Sequence, residues 1–136
     1  MSSEFFPLES LKALISHHIA VLERYDVQSD KEFSLIYFDF GQYKEDIEIK
    51  KTVQTVFRDC DIIFEVVNGD YIILLPKTNW QFSFNLLKEL QDFLGKGKEV
   101  KDTIVTYPDD GKSAEEIINA LKKIVLENHN IELKFM

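Results

Sequence analysis

The stretch from Arg58 to Pro76, RDCDIIFEVVNGDYIILLP, decides the fold of this chain. Two runs of strand-forming residues, Ile62–Val67 and Tyr71–Leu75, flank the dipeptide Asn68-Gly69. Asn-Gly between apolar runs predicts a β-hairpin with a two-residue type I′ turn, because both residues tolerate a positive φ. The hairpin places one carboxylate, Asp70, at a sheet end, and this is the first position at which we expect chemistry.

The composition is that of a globular domain. The chain has 136 residues, of which 45% are apolar and 29% charged, and its formal net charge is −8. We predict one domain spanning residues 1–136. The negative charge argues against non-specific nucleic-acid binding, which needs a basic face. One cysteine, Cys60, cannot form an internal disulfide, and we see neither a signal peptide nor an apolar run long enough for a membrane span. We therefore expect a cytoplasmic protein that does not contact a membrane.

Helical and strand patterns alternate along the N-terminal half. Apolar residues at helical spacing predict a helix from Pro7 to about Tyr25. The polar connection 26–31 follows, and then Phe33–Phe40, an apolar run typical of a central strand covered on both faces. A second helix should end at Arg58. We interpret the pair His17-His18 as solvated, because no acidic or cysteine partner has metal-ligand spacing.

The C-terminal half continues the alternation. A third helix should be capped by Thr78 or Asn79, and a short strand is predicted over Thr103–Tyr107. The turn sequence 108–111 and a capping box at 113–116 introduce the last helix, and Ile131–Phe135 can return as an edge strand. The predicted fold class is therefore α/β (α+β). It has a βαββαβ core, a mostly antiparallel central sheet flanked by helices, and an extra N-terminal helix.

The hairpin region resembles GGDEF domains, the diguanylate cyclases that condense two GTP into cyclic di-GMP. Their G-G-D/E-E-F turn corresponds to Val67-Asn68-Gly69-Asp70-Tyr71, and their R-x-x-D product site corresponds to Arg58-Asp59-Cys60-Asp61, five residues earlier. Their D-x-D-x-F-K strand end corresponds to the stretch 39–44, which keeps Asp39 but has Gly41 for the second Asp. The run Ile104–Gly111 is also similar to the family's C-terminal part. The family's phosphate-holding Lys is His129 here.

The resemblance implies a palm-like nucleotidyl-cyclase fold and a bacterial signalling protein whose turn motif is degenerate. In the family the residue at Asp39 binds the catalytic metal, so Asp39 and Asp70 form a vestigial metal site. The segment between Asp39 and Asp61 is shorter than in the family and lacks the guanine-reading residues. Shifting the alignment by one residue would put Asp70 at the metal-acid position. The alternative without a functional role is that Asp39 and Asp70 are solvated strand-end residues.

The resemblance therefore indicates a catalytically inactive homologue with a regulatory role and no cofactor. One hypothesis is a cyclic di-GMP receptor that uses Arg58 and Asp61, with Lys88 as a loose candidate for a second basic residue. Another is a module that binds a protein partner or a second copy of itself, because Phe5-Phe6 and Trp80 are expected to be partly exposed. The remaining alternative is residual cyclase or GTP-binding activity through Asp39 and Asp70, which alone would require Mg²⁺.

Overall fold

Strands and helices alternate along the chain much as the sequence patterns predict. The computed structural model describes residues 5–7, 10–25, 32–39, 51, 57, 61–66, 70–94, 101–130 and 132–133. Within these residues the elements are β1 (Phe5–Pro7), α1 (Leu11–Tyr25), β2 (Phe33–Asp39), β3 (Ile62–Glu65), β4 (Tyr71–Leu75), α2 (Trp80–Leu94), β5 (Lys101–Tyr107) and α3 (Ala114–His129).

The strands form one sheet in the order β1-β3-β4-β2-β5. The strand β1 runs parallel to β3, and every other neighbouring pair is antiparallel. The first long strand, β2, lies between β4 and β5, and its antiparallel pairing with β4 brings the end of β2 next to the start of β4. The predicted α+β class with a mostly antiparallel sheet is confirmed.

The strand β2 is covered on both faces, as its continuous apolar run predicts. Its residues from Phe33 to Phe38 are all buried. Because successive side chains point to opposite faces, Leu35 and Tyr37 join a cluster with α1 and α3, whereas Ile36 and Phe38 join a second cluster with α2. The sheet therefore separates two apolar layers, and the ends of β2 are positioned from both sides.

The hairpin is confirmed, but its predicted two-residue turn is wrong. Glu65 is paired with Tyr71, and the N–H of Val66 donates to the carbonyl of Asp70 at 2.9 Å. Three residues, 67–69, therefore connect the paired positions, and they lie outside the described part of the chain. A two-residue turn would instead have paired Val67 with Asp70. Hairpins with three-residue connections are the next most common class.

The N-terminal helix begins later than predicted. Pro7 belongs to β1, where it is paired with Glu65, and α1 begins only at Leu11. Proline lacks a donor N–H, but β1 is the outermost strand of the sheet, which is a place where proline is tolerated. A three-residue strand is too short to show a period in the sequence, and the sequence pattern therefore predicts the wrong element for Pro7.

Both predicted helix caps are present. The Asn79 side chain accepts from the N–H of Phe82 at 2.9 Å, whereas the Thr78 hydroxyl donates to the Pro76 carbonyl. Ser113 caps α3 by accepting from the N–H of Glu116 at 3.2 Å. The Glu116 carboxylate reaches back to the N–H of Lys112 at 3.4 Å rather than to that of Ser113, so only half of the predicted capping box forms.

Two predicted elements fall largely outside the described residues. The helix expected before Arg58 is one of them, since only residues 51 and 57 of that stretch are described. The other is the final strand over Ile131–Phe135, of which the two described residues, Glu132 and Leu133, are not in a strand.

The two adjacent histidines of α1 have different surroundings, which corrects their interpretation as a solvated pair. His17 is exposed, but His18 is half-buried and packs edge-on against Phe33, with ring centroids 5.1 Å apart. Within the described part of the chain, the buried Nε2 of His18 has no hydrogen-bond partner. Burial lowers the pKa of His18, and the charge of His17 acts in the same direction.

This lowered pKa makes stability depend on pH. Between the lowered pKa and the ordinary value of about 6.5, the unfolded chain binds more protons at His18 than the native state does. The free energy of unfolding should therefore fall as the pH drops below 6.5. We expect His18→Leu to flatten this decline in urea unfolding measured between about pH 7.5 and 5. The matched control is His17→Leu, which should keep most of the slope. An equally steep decline in His18→Leu would contradict the assignment.

Candidate functional site

The two carboxylates singled out by the sequence lie at the same edge of the sheet. The last pair between β2 and β4 joins Phe38 to Tyr71. Asp39 follows the first of these residues and Asp70 precedes the second, so both acids stand where the paired region ends. This juxtaposition is the one that the predicted strand order implies.

Asp70 points into the protein. It is 0% exposed, and its Oδ2 accepts a hydrogen bond of 2.5 Å from the hydroxyl of Tyr37, which is itself fully buried. Tyr37 lies directly opposite Ile72 in the sheet, so Asp70 is its diagonal neighbour on the same face. The interpretation of Asp70 as a solvated strand-end residue is wrong. The strand pairing in the hairpin places its carboxylate in the protein interior, next to Tyr37 of β2.

Asp39 is engaged from the opposite end of the chain. Its Oδ2 lies 3.2 Å from Nδ1 of His129, the last residue of α3. The other ring nitrogen of His129, Nε2, lies 2.8 Å from the hydroxyl oxygen of Thr103 on β5. A carboxylate only accepts, so Nδ1 carries the proton and donates to Asp39, and in the neutral ring Nε2 accepts from Thr103.

The order hydroxyl–imidazole–carboxylate is also that of hydrolytic triads. Here the hydroxyl and the imidazole are buried, since Thr103 is 4% exposed and the His129 side chain is 1% exposed. The His129 ring also meets Tyr37 edge-on, with centroids 5.4 Å apart. No acyl group can approach a hydroxyl enclosed in this way, so the arrangement fixes the end of α3 to the sheet.

The described residues do not fit the metal that the GGDEF resemblance implies. Two-metal catalysis needs several carboxylates converging on ions roughly 3.5–4 Å apart. In the described ranges no group of three or more His, Cys, Asp or Glu side chains could hold a metal ion. Asp39 faces an imidazole and Asp70 a phenol, and the acids Glu45 and Asp46 lie outside these ranges.

The R-x-x-D candidate is described at one of its two residues. Asp61 directly precedes β3 and is 3% exposed, so its carboxylate lies almost wholly inside the protein. Arg58 is outside the described residues, as are Val67, Asn68 and Gly69 of the turn motif; Tyr71 of that motif is buried in β4. Lys88, the loose candidate for a second basic residue, lies on the exposed side of α2 with Nζ 5.8 Å from the centroid of the Phe84 ring.

An exposed aromatic pair lies on the other face of the sheet, on the side of α2. Trp80 is 50% exposed, as predicted, and its ring stacks on that of Phe84 with centroids 5.2 Å apart. Phe5 and Phe6 lie in β1, but the exposure predicted for their side chains is outside what the structure describes. Beside the aromatic pair lies a cavity of about 210 Å³ between α2 and the start of β5, lined in part by Asp102. Burial raises the pKa of the Asp102 carboxyl, and nearby His129 opposes that effect.

Sequence reasoning missed the partners of both candidate carboxylates. The Tyr37–Asp70 contact had a usable signal, because strand register predicts diagonal neighbours on one face. The His129–Asp39 contact had none, since the two residues are 90 positions apart and meet only through the packing of α3 on the sheet. The family resemblance draws attention to His129 only because it expects a Lys at that position.

Solved structures show what this fold is. A sensory box/GGDEF family protein from Caulobacter crescentus is 15% identical, with a TM-score of 0.70 over 92% of this chain and 93% of that one. An active GGEEF domain of a diguanylate cyclase from Vibrio cholerae is 17% identical, with a TM-score of 0.67 over 89% and 88%. The coiled coil and GGDEF domain of Caulobacter crescentus DgcB, solved with c-di-GMP, is 8% identical, with a TM-score of 0.68 over 94% and 81%.

These likenesses establish that the chain has the fold of GGDEF domains, as the sequence motifs predict. No protein-family model matches the sequence, and no curated protein matches it either. None of the described helices combines the length and apolar character needed to cross a bilayer.

Proposed function

We infer that this chain is a non-catalytic GGDEF-like regulatory domain that acts by binding and does not synthesise cyclic di-GMP. One observation carries the proposal: the two acids available for a metal are each held by a protein side chain. Asp39 is bonded to His129, and Asp70 is bonded to Tyr37 inside the core. Both carboxylates serve the fold in this arrangement.

The sequence supports the same proposal. Phosphoryl transfer relies on carboxylate-bound metal ions and on cationic groups that neutralise the phosphates. Gly41 and Gly69 stand where the GGDEF resemblance places metal-binding acids, and His129 stands where it places a Lys. The imidazole of His129 is enclosed between Asp39 and Thr103, so it is not free to reach a phosphate group.

Binding of a protein partner is the form of regulation that the described surface favours. The stacked rings of Trp80 and Phe84 stand half-exposed beside a cavity whose lining is apolar in its larger part. Tryptophan and phenylalanine are enriched in protein interfaces, and exposed aromatic patches next to apolar depressions mark such surfaces.

Cyclic di-GMP is the second candidate ligand. The spacing of Arg58 and Asp61 relative to the turn supports it, and the DgcB domain was solved with that nucleotide. An Arg can read guanine O6 and N7 with two hydrogen bonds. The deep burial of Asp61 leaves Arg58 as the group on which such a site would depend.

The first test is a product assay with GTP and either Mg²⁺ or Mn²⁺, with an active GGEEF domain as the positive control. We expect no cyclic di-GMP, because the chain lacks the second metal-binding acid. Sustained turnover would refute the proposal and revive the alternative of a residual cyclase that uses Asp39 and Asp70.

A calorimetric titration with cyclic di-GMP distinguishes the two forms of regulation. Arg58→Ala should abolish any binding of the nucleotide, with Arg24→Ala on α1 as the matched control. Binding that survives Arg58→Ala would move the site elsewhere. The absence of binding in the unmodified chain would leave the protein-partner form.

A further inference from the structure

The cavity between α2 and β5 is a groove with an apolar floor. Phe38, Leu87 and Leu90 form the floor, and they are 1%, 6% and 1% exposed. These three side chains belong to the core cluster beneath α2. We call this feature the α2–β5 groove, and its volume is about 210 Å³.

One wall of the α2–β5 groove is aromatic. Phe84 lines it and is 39% exposed, and the Trp80 ring extends the wall by stacking on Phe84 at an interplanar angle of 11°. The two residues are one helical turn apart, so they lie on the same side of α2. Lys88 continues this side, and its ammonium lies over the Phe84 ring.

The opposite wall carries a carboxylate. Asp102 is paired with Phe38 across β5 and β2, which brings its side chain to the groove. Part of the Asp102 side chain remains open to solvent, yet burial raises the pKa of its carboxyl. Among the described residues it has neither a hydrogen bond nor an ion pair. The charge of His129 acts on this carboxyl, but it offsets only part of the effect of burial, because the pKa of Asp102 stays raised. A further cationic group placed against Asp102 is therefore favoured.

Size and charge indicate the kind of occupant. Small-molecule sites usually measure roughly 300–1,000 Å³, so a groove of about 210 Å³ suits one large side chain better than a whole ligand. Interfaces are often anchored by a single aromatic or aliphatic residue in such a depression. The net charge of −8 also steers basic partners toward the protein.

We propose that the α2–β5 groove is the docking site of a partner protein segment. The segment inserts one large apolar side chain against Phe84 and Leu87, and it places an adjacent Lys or Arg against Asp102. This inference rests on the proposed function, since it specifies the partner surface of the same regulatory domain.

The test uses random peptides of about twelve residues displayed on phage and selected on the full chain. We expect the selected peptides to share an apolar residue next to a basic one. Trp80 is the only tryptophan, so synthetic peptides lacking tryptophan should shift its fluorescence on binding. Titrations should show roughly tenfold weaker binding to Asp102→Asn and to Phe84→Ala.

Phe82→Ala is the matched control. Phe82 is also on α2 and is 62% exposed, but it does not line the groove, so this variant should bind like the unmodified chain. Wild-type affinity in Asp102→Asn or in Phe84→Ala overturns the inference, as does a selection without binding peptides. Sedimentation that reveals a dimer dissociated by these two substitutions would assign the groove to a second copy and also overturn it.

The outcome is separable from that of the proposed function. If the peptide test fails while GTP yields no product, the groove assignment falls and the non-catalytic assignment stands. If GTP yields product, the non-catalytic assignment falls whatever the peptides do.

Discussion

Replacing Tyr37 by alanine is expected to lower the free energy of unfolding by about 3–5 kcal/mol, the range measured for aromatic-to-alanine changes in cores. Tyr37 lies on the central strand β2 and is fully buried. The substitution would empty the space between α3 and the sheet and would remove the hydroxyl that donates to Asp70. A natural domain is stable by only about 5–15 kcal/mol, so this single change would remove a large part of the total.

The variant Tyr37→Phe separates packing from the hydrogen bond. It keeps the ring and deletes only the hydroxyl, so we expect a smaller loss of about 1–3 kcal/mol from weakening the hydrogen bonding of the buried Asp70. Urea unfolding of both variants measures the two contributions. The m value, the slope of the free energy of unfolding against urea concentration, should stay unchanged if the unfolding remains two-state. A Tyr37→Phe variant as stable as the unmodified chain would mean that the hydroxyl does not support Asp70.

The sequence predicted the fold well wherever a local pattern had a unique structural solution. The uninterrupted apolar run in β2 requires cover on both faces, and it is covered. The Asn79 and Ser113 caps followed from side chains that can satisfy the free N–H groups of a helix start. By contrast, Asn-Gly marks a turn but does not set the pairing register, and the three-residue β1 leaves no period to detect.

The candidate site was predictable only in part, because strand topology follows from local patterns and the packing of distant side chains does not. Strand order brings Asp39 and Asp70 to one edge, and that much follows from topology. Whether the carboxylates face solvent or other side chains depends on which groups the helices deliver. His129 is the last residue of α3, and no sequence pattern near Asp39 predicts its contact with that carboxylate. The hydrogen bonds that hold Asp39 and Asp70 therefore became visible only in three dimensions.

The second large effect is expected for His129→Ala. The His129 side chain is almost fully buried, bonded to Asp39 and Thr103 and packed edge-on against Tyr37. Removing it would take a hydrogen-bond partner from the Thr103 hydroxyl and the Asp39 carboxylate, and we expect unfolding to become easier by about 2–4 kcal/mol. The exposed His17 provides the control, since His17→Ala should change stability by less than about 0.5 kcal/mol.

A double-mutant cycle tests whether His129 acts through Asp39. If the two side chains form one unit, the losses from His129→Ala and Asp39→Ala will not add, and the interaction energy should fall within about 0.5–3 kcal/mol. Additive losses would show that His129 contributes through Thr103 and Tyr37 rather than through Asp39.

The same His129→Ala variant tests whether the His129–Asp39 hydrogen bond is what prevents catalysis in the proposed non-catalytic domain. Removing the imidazole frees the carboxylate of Asp39 from its hydrogen bond with His129 but supplies neither of the acids that the GGDEF resemblance places at Gly41 and Gly69. We therefore expect no cyclic di-GMP from His129→Ala with GTP and Mg²⁺. Product formation by this variant alone would identify the His129–Asp39 hydrogen bond as the element that blocks an otherwise competent site, and the domain would then be an inhibited cyclase.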